Sequence, residues 1–182
     1  MRCCSTQLIS PSIDMVAAFI AAARDYRAHG ERCYQRELEE RGLDIDCNFD
    51  FGEYIKAVER DAGSDTLPNT APQSSFWLVD DGRTVILGTS RLRHYLTAGS
   101  ETAGGHIGYD VPPSQRNKGY GTTILKLTLE KARQIGLERV LVTCDADNVG
   151  SQKIIVRNGG VLENGVYSDE DRKVVKRYWI EL

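Results

Sequence analysis

The run Val111-Pro112-Pro113-Ser114-Gln115-Arg116-Asn117-Lys118-Gly119-Tyr120-Gly121-Thr122 combines the residue types that hold phosphate. Two prolines stop an apolar segment, a short polar turn follows, and two glycines spaced one apart precede a long amphipathic stretch. A loop of this kind opens a helix and leaves its first N–H groups without intrahelical acceptors. Those donors, with the positive end of the helix dipole, attract anions. Arg116 and Lys118 add positive charge at the same place and can make charge-assisted hydrogen bonds. A phosphate-bearing ligand is therefore expected at Arg116–Thr122.

The elements that must position this loop follow from hydrophobic period and turn residues. A first strand is expected over Cys4–Ile9 and a helix over Ser12–Arg27, where Val16, Phe19, Ile20 and Ala23 recur at helical spacing and Gly30 marks the stop. Residues 31–65 are polar, with a helix expected near Phe51–Arg60, and Ser64–Ser75 reads as a loop around Pro68 and Pro72. Phe76–Val79 and Thr84–Leu92 form a hairpin across Asp81-Gly82, and a third strand spans His106–Val111. The helix after the glycines carries Ile124, Leu125, Leu129, Ala132 and Ile135 on one stripe and ends at Gly136. Arg139–Cys144 is apolar and β-branched, as in a parallel strand covered on both faces. His106–Val111, the helix and Val140–Cys144 make a right-handed βαβ unit. A short helix over Asn148–Arg157 closes at Asn158-Gly159-Gly160. Val161–Tyr167 and Lys173–Leu182 then pair across the acidic turn Ser168–Asp171, the last strand alternating along its length.

The chain has 182 residues, of which 41% are hydrophobic and 27% charged, which suits one soluble α/β domain with a mixed sheet. A net charge of −3 gives no general attraction to nucleic acid or to an anionic membrane. No apolar run approaches the ~20 residues of a membrane span, and Met1–Ser5 lacks the apolar core of a signal peptide. Cys3, Cys4, Cys33, Cys47 and Cys144 are odd in number and show no paired metal-ligand spacing. Reduced thiols and a cytoplasmic location are the expectation, without a bound metal, and Cys144 reads as a core residue. Two phosphate-loop patterns are missing. The G-x-x-x-x-G-K-[ST] loop does not occur, and Gly119-Tyr120-Gly121-Thr122-Thr123-Ile124 lacks the third glycine of a dinucleotide fingerprint.

What remains is R-x-x-G-x-G, at Arg116, Gly119 and Gly121, between a strand and a helix. Downstream stand a strand at Val140–Cys144, an Asn-x-x-Ser at Asn148 and Ser151, and two closing strands. Over roughly Phe76–Leu182 this order resembles the GNAT superfamily of acetyl-CoA-dependent N-acyltransferases. Gly104–Tyr109 and Arg177–Ile180 are more narrowly similar to a group of bacterial GNAT proteins with no assigned substrate. The resemblance implies a single-domain GNAT-like fold, with a mixed, mostly antiparallel sheet, a central parallel βαβ unit and a splayed cofactor cleft. Residues 1–75 would form the helical acceptor-side part and residues 76–182 the cofactor-binding core.

For the site, the resemblance implies that main-chain N–H groups of Arg116, Asn117, Lys118, Gly119, Tyr120, Gly121 and Thr122 hold the pyrophosphate of coenzyme A. Tyr109 and Val111 would pair with its pantetheine arm as an added strand, and Asn148 and Ser151 would face the cofactor. Asn148 and Ser151 are equally a helix N-cap pair. The implied reaction is direct attack of an amine on the acetyl thioester, with the N–H of Tyr109 or Val111 as oxyanion donor. Where many relatives carry a tyrosine general acid, the matched position here is Ile155. A thiolate of pKa ~8.5 leaves without much help, whereas an ammonium of pKa about 10 must lose a proton, so a base matters more. His106, then His94, are the candidate catalytic bases, since imidazole titrates near neutrality. Residues 37–65 hold Glu37, Glu39, Glu40, Asp44, Asp46, Asp50, Glu53, Glu59, Asp61 and Asp65 against Arg41, Lys56 and Arg60. That excess suggests a cationic acceptor, a small-molecule amine or a lysine side chain; a solvated acidic face gives the same composition. A homodimer is an open option. A non-catalytic acyl-CoA-binding or sensing domain is the alternative to an enzyme.

Overall fold

The computed structural model describes residues 5–31, 50–63, 71–168 and 172–182. The four cysteines other than Cys144, the acidic positions Glu37 to Asp46 and Asp65, and the turn residues Asp169–Asp171 lie outside this set. Seven strands form one sheet in the order β1-β2-β3-β4-β5-β7-β6. They are β1 (Thr6–Ile9), β2 (Gln73–Asp80), β3 (Ile86–Arg93), β4 (Ile107–Asp110), β5 (Arg139–Asp145), β6 (Val161–Ser168) and β7 (Lys173–Glu181). Every neighbouring pair is antiparallel except β4 and β5, the one parallel pair, as the expected βαβ unit requires. β1 pairs with β2, so the first seventy-odd residues contribute a strand to the sheet as well as helices to its face.

The helices are α1 (Val16–Ala28), α2 (Phe51–Asp61), α3 (Tyr120–Gln134) and α4 (Val149–Arg157). The period-two alternation of β2 divides the core between two faces. Trp77 and Val79 meet Phe19, Phe51 and Tyr54 of α1 and α2 on one side. Leu78 meets Leu87 and Ile124 of α3 on the other. On this second face Leu125, Leu129 and Ala132 of α3 pack with Val140 and Val142 of β5, Ile155 of α4 and Tyr178 and Ile180 of β7. Burying such a leucine contributes roughly 1.5–3 kcal/mol, which fixes α3, and with it the phosphate loop, against the sheet. Ile124, Leu125, Leu129 and Ala132 of the expected stripe are buried and the helix stops before Gly136 (φ +86), but it begins at Tyr120, between the two glycines, and Ile135 does not join the stripe. It sits at the helix C-cap, where the last turn leaves the sheet, and is 45% exposed.

β5 is buried on both faces: Val140, Leu141 and Val142 have no exposed surface. Part of the cover on its second face comes from a π-helical turn, Ser100–Gly104, that hydrophobic period did not reveal. Thr143 Oγ1 donates to Ala103 O at 2.6 Å and Arg93 Nη1 to Gly104 O and Gly105 O at 3.2 and 3.0 Å. Gly105 (φ +64) then turns the chain into β4; a Cβ there would meet Leu141 O at 2.6 Å. Among the described residues no helix is long and apolar enough to cross a membrane.

Candidate functional site

The phosphate loop is built from a 3-10 turn at Pro113–Gln115, an extended Arg116, and two left-handed residues, Asn117 (φ 62) and Gly119 (φ 87). Asparagine and glycine are the residues that adopt this conformation at least cost. Gly119 caps α3, and its carbonyl accepts from Thr122 N and Thr123 N at 3.1 Å each. Among the described residues the N–H groups of Gly119, Tyr120 and Gly121 donate to no main-chain carbonyl. They are the donors a helix start offers an anion. Gly121 answers a different need: a Cβ there would lie 2.6 Å from Ile154 Cδ1, so its absence lets α4 close against α3. Tyr120 packs against the Leu78–Leu87–Ile124 cluster.

Beside the loop, β4 and β5 separate. They share one paired position, Ile107 with Val142. Arg93 N donates to His106 O at 2.8 Å, which sets the phase of the β3–β4 ladder. Gly108 and Asp110 turn their main-chain groups to β3, and Tyr109 and Val111 turn theirs into the gap. A cleft of about 480 Å³ opens there, bordered by β4, the phosphate loop, the start of α4 and Glu31. An extended acyl carrier fits such a gap, with N–H and C=O groups for its amides along one wall and free N–H groups for phosphate at one end.

α4 supplies the facing wall. Asn148 is its N-cap, its Oδ1 accepting from Ser151 N at 2.9 Å, and both side chains border the cleft, so the cap and cofactor-facing placements coincide. Ser151 Oγ is 2.7 Å from Tyr109 Oη. Burial, relieved in part by the Ser151 hydrogen bond, pushes the Tyr109 phenol up to about 12. Ile155, one turn further, has no exposed surface and packs in the core. Burial likewise raises the Cys144 thiol, consistent with a core residue.

Neither histidine borders the cleft. His106 points to the opposite face from Tyr109, where its Nδ1 accepts from Leu141 N at 2.9 Å and its ring stands edge-on to Trp179 at 6.3 Å. Burial, with the nearby Arg93 charge, lowers its pKa to about 4, so the ring is neutral near pH 7, Nδ1 is engaged and Nε2 carries the proton. His94 hydrogen-bonds Ser74 Oγ through Nε2 at 2.8 Å. It lies four residues beyond Ser90, which pairs with Tyr109, a separation of ~13 Å along the strand. The structure thus gathers Tyr109, Val111, Arg116, Asn117, Gly121, Asn148 and Ser151 at one cleft and leaves His94 and His106 outside it.

The two loop cations are engaged within the protein. Lys118 Nζ donates to Ser114 O and Gln115 Oε1 at 2.9 and 3.1 Å. Arg116 makes a two-pronged pair with Glu31, at 2.7 and 2.6 Å, and its Nε donates to Val111 O at 3.0 Å. Arg116 holds the Glu31 carboxyl below the usual range. Two further carboxylates lie at the loop and the cleft. Asp25 Oδ2 accepts from Ser114 N at 2.9 Å, and Asp110 borders the cleft with Arg91 3.6 Å away.

Comparison with known proteins agrees with this geometry. The family model of the acetyltransferase (GNAT) domain matches residues 47–161. No curated protein matches the sequence. Among solved structures, the chain is similar to the microcin C7 self-immunity acetyltransferase MccE in complex with acetyl-CoA and AMP. That match has 14% identity and a TM-score of 0.68, and covers 97% of this chain and 92% of that one. The ribosomal L7/L12 α-N-protein acetyltransferase RimL with coenzyme A is similar at 15% identity and TM-score 0.66, over 98% and 94%. A spermidine N-acetyltransferase of Vibrio cholerae is similar at 14% identity and TM-score 0.53, over 72% and 75%. Likenesses at these identities concern the fold.

Proposed function

The chain belongs to the GNAT acetyltransferase family, acetyl-CoA-dependent enzymes that acetylate amines, and on that premise we propose that acetyl-CoA lies along β4 and a cationic amine is the acceptor. The observation that carries the cofactor reading is that Tyr109 and Val111 face the β4–β5 gap at a cleft that Asn117 and Gly121 also line, next to the N–H groups of Gly119–Gly121, which have no main-chain acceptor among the described residues. Acetyl-CoA supplies the activated acetyl group. The pyrophosphate belongs on the N–H groups of Gly119, Tyr120 and Gly121, with Asn117 and Thr122 completing the loop around it. The pantetheine arm pairs with Tyr109 and Val111, against Asn148 and Ser151. The Tyr109 or Val111 N–H is the donor to the developing oxyanion. In this reading residues 76–182 bind the cofactor and the helices before them face the acceptor.

With Ile155 in the core, the hydroxyl pair of Tyr109 and Ser151 is the group that meets the departing thiolate. Tyr109 Oη also lies 3.4 Å from Ser151 O, a long contact that its O–H gives up when a stronger acceptor such as a thiolate arrives. A phenol at about 12 keeps its proton; passing it to a thiolate of pKa ~8.5 is uphill by about 5 kcal/mol. The pair therefore stabilises the thiolate by hydrogen bonding. For the amine proton, Asp110 takes the role first assigned to His106 and His94, because it borders the cleft and neither histidine does. Its 3.6 Å separation from Arg91 is looser than the 2.6 Å contact that engages Glu31.

The acidic excess over residues 37–65 supports a cationic acceptor. Two of the similar structures, named for spermidine and for a protein N-terminus, are also amine acetyltransferases. The test is acetyl-CoA titration by calorimetry, followed by thiol detection of coenzyme A release with polyamines, lysine peptides and free N-terminal peptides. Micromolar acetyl-CoA binding with release driven by cationic amines is expected. Stronger binding of ATP or NAD than of acetyl-CoA overturns the cofactor reading. Neutralising Glu37, Glu39 and Glu40 together is expected to raise KM for the amine, and an unchanged KM removes the cationic-acceptor reading.

A further inference from the structure

Arg116 is the first residue of the R-x-x-G-x-G motif, and its charge suggests a phosphate ligand. Its surroundings argue for a different task. All three nitrogen positions of the guanidinium are engaged: Nη1 and Nη2 by the two oxygens of Glu31 at 2.7 and 2.6 Å, and Nε by Val111 O at 3.0 Å. Glu31 follows directly on the left-handed Gly30 (φ +71) that ends α1, and Glu31 N donates back to Tyr26 O at 2.9 Å, so this carboxylate is anchored to the helix end. Six residues before Glu31, Asp25 accepts from Ser114 N at 2.9 Å. Two contacts from the end of α1 thus meet the turn between β4 and α3. One holds its second residue after the prolines begin, the other the residue that precedes the left-handed pair.

We propose that Glu31 and Arg116 form a brace that positions the phosphate loop against α1, with Arg116 acting through the loop backbone and not as a direct ligand of phosphate. The inference rests on the assignment of acetyl-CoA to this cleft. The physical reason is directional. Three of the five N–H groups of the guanidinium are committed in this way, and the two that remain lie in the same plane. Moving the paired donors to phosphate would leave the Glu31 carboxylate, whose charge Arg116 now offsets, unpaired in the same cleft, where like charges repel. Anion binding then falls to the N–H groups of Gly119, Tyr120 and Gly121, which the brace holds in place.

The two roles of Arg116 predict opposite signs for one substitution. If Arg116 is the ligand, Glu31→Gln frees it and tightens acetyl-CoA. If the pair is a brace, Glu31→Gln loosens the loop and weakens acetyl-CoA. The experiment is calorimetry and steady-state kinetics on the full chain with wild type, Glu31→Gln, Arg116→Gln, the double variant and the reversed pair Glu31→Arg with Arg116→Glu. The pair is partly exposed, so the expected loss in each single variant is roughly fivefold in Kd. It falls on KM for acetyl-CoA more than on kcat. The double variant should be no weaker than either single one, and the reversed pair should recover part of the affinity. Tighter binding by Glu31→Gln, or a reversed pair weaker than the double variant, overturns the brace. Failure of the wild type to bind acetyl-CoA counts against the cofactor reading instead, so the two failures are distinguishable.

Discussion

Gly119→Ala tests the phosphate loop by backbone conformation alone. Gly119 has φ 87 and ψ −5, and a Cβ there would have nothing within 4 Å. The substitution therefore adds no clash and removes no side-chain contact. Its whole effect is the cost of a left-handed alanine, about 1–2 kcal/mol. That cost can appear in two places. If the loop keeps its shape, the strain lowers folding stability, and Tm falls by ~2–8 °C for a chain of this size. If the loop relaxes, the N–H groups of Gly119, Tyr120 and Gly121 leave their alignment, and the same free energy appears as a 5- to 30-fold weaker Kd for acetyl-CoA. Thermal unfolding and calorimetry on one preparation measure both, and together they should account for about 1–2 kcal/mol. Gly119→Asn provides the control, since asparagine enters the left-handed region more readily; its combined loss should be smaller. Unchanged Tm and Kd in Gly119→Ala, or a larger loss in Gly119→Asn, would refute the reasoning.

Tyr109→Phe removes the 2.7 Å contact with Ser151 and a donor to the thiolate. Hydrogen bonds to charged groups are worth ~1.5–3 kcal/mol, so kcat should fall about 10- to 100-fold; an effect confined to KM for acetyl-CoA contradicts the assignment. Asp110→Asn should lower kcat with amines of high pKa more than with weakly basic amines, and equal losses across an amine series would remove Asp110 as the base. His106 has its pKa lowered from 6.5 to about 4 by burial, so the unfolded chain takes up its proton first as pH falls. Stability is complete above pH 6.5 and declines toward pH 4, by at most about 3 kcal/mol. Urea midpoints should show this decline in wild type, and His106→Gln should lose the His106 part of it between pH 6.5 and 4. Gly105→Ala places a Cβ 2.6 Å from Leu141 O at φ +64 and should lower Tm, by more than Gly119→Ala, where the space is open.

The features that the sequence alone determined are local ones. Gly119 and Gly136 stop or start a helix because one residue must take a left-handed turn. Asn148 caps α4 through a contact three residues along the chain. The apolar run of β5 marks a strand covered on both faces, because side chains on either side of it must leave water. From these, the α/β class, the parallel β4–β5 step and the phosphate loop could all be read. The expectation for Ile135 failed at a helix end, where period no longer reports contact. The Ser100–Gly104 turn carries no period at all.

Tertiary structure decided which charged and polar groups face the cleft. Arg116 reads from its motif as charge for a phosphate, and packing sets Glu31, 85 residues away, against its guanidinium, while Asp25 reaches Ser114 across 89. His106 suited a base by its ordinary pKa, yet the residue that uses its ring nitrogen is Leu141, 35 positions on. Tyr109 looked like a strand residue with only its main chain to offer, until α4 brought Ser151 to its hydroxyl across 42 residues. Propensity and period act over a few residues. The charge and hydrogen-bonding state of a side chain depends on whichever groups packing brings to it, and those are set by the closing of the whole sheet.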